Sequence, residues 1–227
     1  MMPTREEWAV VLFTLRVAAL GTAVILPLGV TAAALLARSR GAARSLLETA
    51  LSLPLVLPPT AVGLLLLDAF SRRSALGSWL AALGIQVAFD WKGVVIATAV
   101  MSFPLLVRSA LVAFEEVDPR LVGLARTLGC GPGEAFFRVT LPLAWRGVLA
   151  GTVLAFARAL GEFGATVMLA GNIPGRTQTL ALAIFHDTQT GRDDRARVLA
   201  GITALLAFAA LWTAEALGRR RQRRRAA

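Results

Sequence analysis

The 227-residue sequence holds one lysine, one cysteine and one histidine, and each scarcity removes a class of chemistry. Lys92 follows no Gly-x4-Gly run, and the glycine-rich stretch Gly129–Gly133 has no lysine behind it. A P-loop needs its backbone amides and that lysine to hold phosphates, so this polypeptide is not itself an ordinary P-loop ATPase. Cys130 alone can form no disulfide within the chain, and it reads as a small residue in a turn. His186, in FHDTQTGRDDR, has only Asp187 beside it. Two adjacent residues do not make a metal site, and the stretch reads as a solvated loop. No Ser-His-Asp, paired-carboxylate or Cys-His arrangement stands out, which leaves no case for covalent or hydrolytic chemistry. The expectation is a non-enzyme with no metal and no cofactor of its own.

Charge is also scarce. Charged residues make up 17% of the chain and hydrophobic ones 56%, with a mean hydropathy of +0.67. A soluble domain carries roughly 25% charged residues, and several runs here exceed the ~18 apolar residues that mark a membrane span. The fold class expected is therefore an all-α integral membrane protein of about five transmembrane helices. The spans are drawn at about 17–37, 46–70, 93–113, 148–170 and 198–217. Residues 1–16 are expected as an outer interfacial segment, with Trp8 and Arg16 suited to the interface. The N-terminus MMPTREEW does not look like a cleaved signal, since Glu6 and Glu7 offset Arg5.

Arginine placement gives an orientation. The loop Arg38–Ser45, the loop Arg108–Arg146 and the tail 218–227 carry fourteen basic residues, and the other side carries eight. The positive-inside rule then puts the long loop and the C-terminus in the cytoplasm and the N-terminus outside. The net charge of +10 thus reads as topology and contact with anionic lipid, not as nucleic-acid binding. Internal repeats are not evident, and five spans do not divide into the halves expected of many secondary carriers.

The stretch 114–147 is the longest cytoplasmic segment. Asp118 can cap a helix and Pro119 suits its first position. Leu121, Leu124, Ala125 and Leu128 share one face, and Gly129 is placed to end the helix in a left-handed conformation. Gly131 and Pro132 turn into a second short helix with Glu134 in its first turn, and Leu141-Pro142 leads back to the membrane. Two short coupling helices would make a rigid knob that another protein could grip.

That stretch resembles the cytoplasmic "EAA" loop of ABC importer permeases: EAA, three residues, Gly, nine residues, Ile-x-Leu-Pro. Gly129 matches the glycine, and Val139-Thr140-Leu141-Pro142 matches the ending with Val for Ile. Gly123, Leu124 and Ala125 stand where the triplet would be, so only its last alanine is kept. LPLVLPPT (Leu53–Thr60), VMSFPLLVR (Val100–Arg108), FARALGEFGAT (Phe156–Thr166) and GNIPG (Gly171–Gly175) are similar to molybdate-transporter permeases. The resemblance covers nearly the whole chain. It implies a permease that works as a homodimer. Two ATP-binding subunits, with ATP-Mg bound there, would seat on the cytoplasmic face against Leu121, Leu124, Ala125, Gly129, Val139, Leu141 and Pro142. An extracytoplasmic anion-binding protein would meet the outer loops 71–92 and 171–197. The ion implied is molybdate or tungstate. Sulfate is the rival, being likewise a tetrahedral dianion, and a self-contained channel or secondary anion carrier is a more distant reading.

Within the spans, Pro54, Pro58 and Pro59 interrupt the second. Each removes an amide donor and frees carbonyls that are costly in hydrocarbon. The outcome is either a broken helix lining a pathway or a kink covered by neighbours. Pro104 in the third span reads as a kink. In the fourth, Arg158 and Glu162 are four apart and face one side. They are either an ion pair that locks packing or, through Arg158, a lowered barrier for an oxyanion. Ala157, Gly161 and Ala165 recur every four residues with Gly164 beside them, which suits close helix contact within the chain or across a dimer. Glu48 and Arg44 read as a pair at the entry of the second span. Pro54, Pro58, Pro59, Arg158, Gly161, Glu162 and Gly164 are the pathway or gate candidates.

Overall fold

Thr4 opens the first helix. Its hydroxyl accepts the Glu7 N–H, and the Glu7 carboxylate accepts the Thr4 N–H, a reciprocal cap. In the computed structural model, which describes residues 4–223 and side chains through 215, α1 (Arg5–Arg38) then runs unbroken for about 51 Å. The separate interfacial segment expected at 1–16 is not seen from residue 5 onward. Glu7, Val11 and Thr14 are buried, because this first stretch packs beside two later helices. Residues 1–3 and the side chains of the basic tail 218–227 lie outside the described residues.

Among the described residues every regular element is a helix. After a short turn come α2 (Ala42–Val56) and α3 (Pro59–Phe70), then α4 (Ala75–Ala82) and α5 (Trp91–Glu115). α6 (Pro119–Thr127) follows, then a single turn α7 (Pro132–Ala135), a π-helical turn Phe136–Thr140, and α8 (Leu141–Leu160). The chain ends with α9 (Gly164–Ala170), α10 (Leu180–Gln189) and α11 (Asp193–Arg223). α1, α5, the helix running from Pro132 to Leu160, and α11 are each long and apolar enough to cross a membrane. α2 and α3 meet that test together as one broken span bent by 106°.

α5 is the central post. Its buried face carries Ala97, Met101, Leu106, Val107 and Ala110, and α1, α8 and α9 pack around it. Small residues let the backbones close up. A β-carbon on Gly29 of α1 would lie 2.7 Å from Leu106, and one on Gly151 of α8 would lie 2.5 Å from Ser109. Contact of this kind holds helices together in lipid, where burial of apolar surface gives little preference for protein over acyl chains. The buried hydroxyls of Thr98 and Ser102 donate to carbonyls one turn back, so they stay satisfied without water.

The bundle has two distinct ends. At one, Ala33, Leu36, Ala110, Phe114, Ala144 and Val148 close the core beneath α6 and α7, which form the knob end. At the far end, the start of α1 is tied to α10 and α11 by Arg195, whose guanidinium lies 3.4 Å from both Glu6 and Glu7 and 3.5 Å from Asp187. Arg192 adds a 2.8 Å contact to Asp187. The far-end stretch around His186, expected as a solvated loop, is therefore mostly helix, with Asp187 buried in an ion cluster.

Candidate functional site

The knob is built as its residues suggest, with one difference. Asp118 accepts the Arg120 N–H at 2.8 Å, Pro119 takes the first helical position, and Gly129 ends the turn at φ +93°. Cys130 N–H then closes on Ala125 O at 3.1 Å. Leu121, Leu124 and Leu128 are all exposed, the last at 78%, while Ala125 is half-buried. A short helix that leaves its leucines exposed is suited to a partner's groove. The second coupling helix is not free-standing. α7 continues through the π turn into α8, so Val139, Leu141 and Pro142 belong to a single helix running from Pro132 to Leu160. Insertion of one residue widens the helix there without ending it.

Phe136 fastens this junction to the bundle. Its ring meets Phe114 of α5 edge-on at 5.5 Å, and Arg38 at the end of α1 lies 5.8 Å from its centre. Arg38 also donates to the Pro132 carbonyl at 3.3 Å. Beside it, the Arg44 guanidinium bonds Glu48 at 2.6 Å and also Glu115, joining α2 to α5.

Deeper in the bundle, two helix breaks meet. α2 continues through Pro54, so that proline does not break it. The break falls at Leu57 and Pro58, and Pro59 restarts the chain as α3. The fourth span, expected as one helix over 148–170, also breaks: α8 stops at Leu160, and α9 begins at Gly164 after the Gly161–Phe163 turn. Ala157, Gly161 and Ala165 therefore do not form one stripe. Gly161 sits in the open at the end of α8, and Ala165 is buried in α9. Gly164 faces Pro59, and Gly63 faces Ala165 and Met168, each so closely that a β-carbon would lie 2.7 Å from its neighbour.

Glu162 holds the second break together. It is buried, with one carboxylate oxygen 2.7 Å from Arg158 Nη1, and the other accepts the Ala165 N–H at 2.8 Å. That second bond satisfies a donor at the start of α9 that no carbonyl can reach. Phe163 points the other way, its ring 5.1 Å from that of Phe185 on α10. Arg158 remains about a third exposed while Glu162 is buried, so the pair runs from the packed bundle to its edge.

Arg108 lies inside α5, within the span drawn at 93–113 although its charge was counted with the cytoplasmic side, and its Nε and Nη2 donate to the Ser52 hydroxyl of α2 at 3.2 and 2.9 Å. Its position in the apolar VMSFPLLVR run was the available signal.

Residues 25–223 match the family described as binding-protein-dependent transport system inner membrane component. The chain is 46% identical over 224 residues, covering 96% of each chain, to the molybdenum transport system permease protein ModB of Escherichia coli K12. It is 43% identical over 201 residues, 88% of each chain, to the protein of the same name from Haemophilus influenzae. Its fold is similar to a chain of a bacterial alginate ABC transporter solved with an alginate pentasaccharide-bound periplasmic protein. The TM-score is 0.74 at 17% identity, over 96% of this chain and 80% of that one.

Proposed function

Since the chain belongs to the binding-protein-dependent transport system inner membrane components, we propose that it is the permease of an ATP-driven importer for molybdate, with tungstate as a near twin. The observation that carries the choice of ion is identity of 46% to a molybdenum transport permease along 96% of both chains. Two copies enclose one pathway. The exposed apolar run at the α2–α3 bend, with Leu53, Val56 and Leu57, supports a second copy as its cover.

ATP enters through partner subunits, because this polypeptide offers no phosphate-holding lysine. Two ATPases, each binding ATP-Mg, take the knobs through Leu121, Leu124, Ala125, Gly129, Val139, Leu141 and Pro142. ATP binding draws the ATPases together, the knobs follow, and the spans reorient. The knob end is then cytoplasmic and the N-terminal end outside, where an anion-binding protein delivers the ion. The two meeting breaks form the gate. Pro54, Pro58 and Pro59 supply one side, and Gly161, Glu162 and Gly164 the other. The Arg158–Glu162 pair holds the second break in shape, and Arg158 keeps a partly open face towards the passing oxyanion.

The test is uptake of labelled molybdate into proteoliposomes holding this chain, the ATPase and the binding protein. Uptake should need ATP on the knob side and resist competition by sulfate. Transport by this chain alone, without ATP, would overturn the importer reading in favour of a channel or secondary carrier. Equal competition by sulfate would overturn the choice of ion.

A further inference from the structure

α5 is nearly enclosed by the bundle. After Trp91, its exposed residues are Arg108, Val112 and Glu115, spaced to form one stripe along the flank that faces α2. Glu115 at the lower end is matched by Arg44 of α2, which also bonds Glu48. Arg108 sits about 10 Å further along the helix, within the apolar span. Among the described residues no carboxylate pairs with it, and its bonds go to the Ser52 hydroxyl.

An arginine at that depth costs about 2.5–3.5 kcal/mol on insertion scales and normally faces a bundle interior or water. Here the neighbouring groups form a small, mostly apolar cavity of about 200 Å³, in which Glu48, Ser52 and Arg108 are the polar residues among apolar side chains. The Ser52 hydroxyl is fully committed. It donates to the Glu48 carbonyl at 2.6 Å and accepts twice from Arg108. Those two bonds fix one edge of the guanidinium and leave about three of its five N–H donors free. Glu48, the one carboxylate lining the cavity, is already held by Arg44 at 2.6 Å. Arg158, by contrast, is neutralised by Glu162.

We propose that Arg108, held by Ser52, is a contact for the tetrahedral oxyanion on the knob-side half of the pathway, beyond the two meeting breaks. The inference rests on the importer reading above and adds the residue that receives the ion after the gate. A fixed guanidinium edge with free donors suits a dianion rich in acceptor oxygens. One such contact per copy is strong enough to draw the ion inward and weak enough to release it, as passage requires. Ser52 is a positioning residue: it orients Arg108 and keeps no donor for the ion.

The experiment uses the reconstituted complex of permease, ATPase and binding protein with labelled molybdate. Arg108→Gln should lower maximal uptake about tenfold or more. The molybdate concentration for half-maximal uptake, set by the binding protein, should stay unchanged, and so should ATPase attachment. Arg108→Lys should keep most of the uptake. A second arm covers misfolding of the glutamine variant. Arg108→Cys in a Cys130→Ser chain, first shown to transport, is treated with a cationic or an anionic methanethiosulfonate reagent. The cationic adduct should restore uptake and the anionic one should abolish it. Equal rates for Arg108→Gln and wild type, or equal effects of the two adducts, would overturn the contact. Either result leaves the importer reading standing, whereas a wild-type complex that does not carry molybdate removes the reading itself.

Discussion

Gly164 and Pro59 touch so closely that any side chain on the first would strike the ring of the second: a β-carbon there would lie 2.7 Å from the Pro59 β-carbon. Two helix ends from distant parts of the chain are thereby locked together, and neither has slack backbone with which to retreat. Gly164→Ala should cost about 1–3 kcal/mol by overpacking. It should lower the thermal midpoint of the purified chain in detergent and reduce molybdate uptake. Gly201→Ala, where nothing lies within 4 Å in α11, serves as the control and should leave the midpoint unchanged or raise it. Equal midpoints for Gly164→Ala and wild type would contradict the contact.

Glu162 spends its two oxygens on Arg158 and on the Ala165 N–H. Arg158→Ala with Glu162 intact leaves a buried carboxylate without its counter-charge. The expected result is loss of uptake together with lower thermal stability. The loss should stay below the about 3–5 kcal/mol of a fully buried pair, because Arg158 reaches solvent. Combining it with Glu162→Ala should cost less than the sum of the two single changes, as measured by a double-mutant cycle. Strict additivity, or normal uptake by a stable Arg158→Ala protein, would remove the pair from the gate.

The knob separates shape from surface. Gly129 sits at φ +93° with no atom near its missing side chain, so Gly129→Asp strains the backbone and adds charge without a clash. Leu128→Asp leaves the backbone alone and places a charge on the most exposed of the knob leucines. Both variants should insert normally and lose ATP-driven uptake. Co-purification with the ATPase should fall for both, and most for Leu128→Asp. A Leu128→Asp permease that holds its ATPase as wild type does would show that this face is not the one gripped.

The knob was the most legible part of the chain because its signals are local. A capping aspartate, a proline after it and a glycine ten residues beyond that proline need no knowledge of the rest of the fold, whereas the proline cluster at 54–59 marked an interruption but left break and kink both open. The break at Gly161–Phe163 was not legible. Apolar residues on both sides read as one span, and the cause lies elsewhere: Glu162 caps α9, and Pro59, a hundred residues earlier, occupies the space beside it. The first helix was divided at Arg16 in the sequence reading, with the charged Arg5, Glu6 and Glu7 set at an interface. The two glutamates are held by Arg195 from the other end of the chain, a partner that no window of local residues reveals. Arg108 fell within the span read at 93–113, but its bond to Ser52, 56 residues earlier, was not legible in the sequence.

The helix that begins at Pro132 and ends at Leu160 contains a widened turn but no joint. Its lower end is pinned to the ring of Phe114, and its upper end finishes one residue short of the turn that Glu162 holds. On the proposed importer reading, such a piece would work as a crankshaft. A tilt imposed at Ala135 cannot be taken up by a hinge on the way, so it arrives some 40 Å further on as a displacement of Leu160. There the Pro59–Gly164 contact leaves no gap between the two abutting breaks, so on the importer reading both would have to move together as one piece.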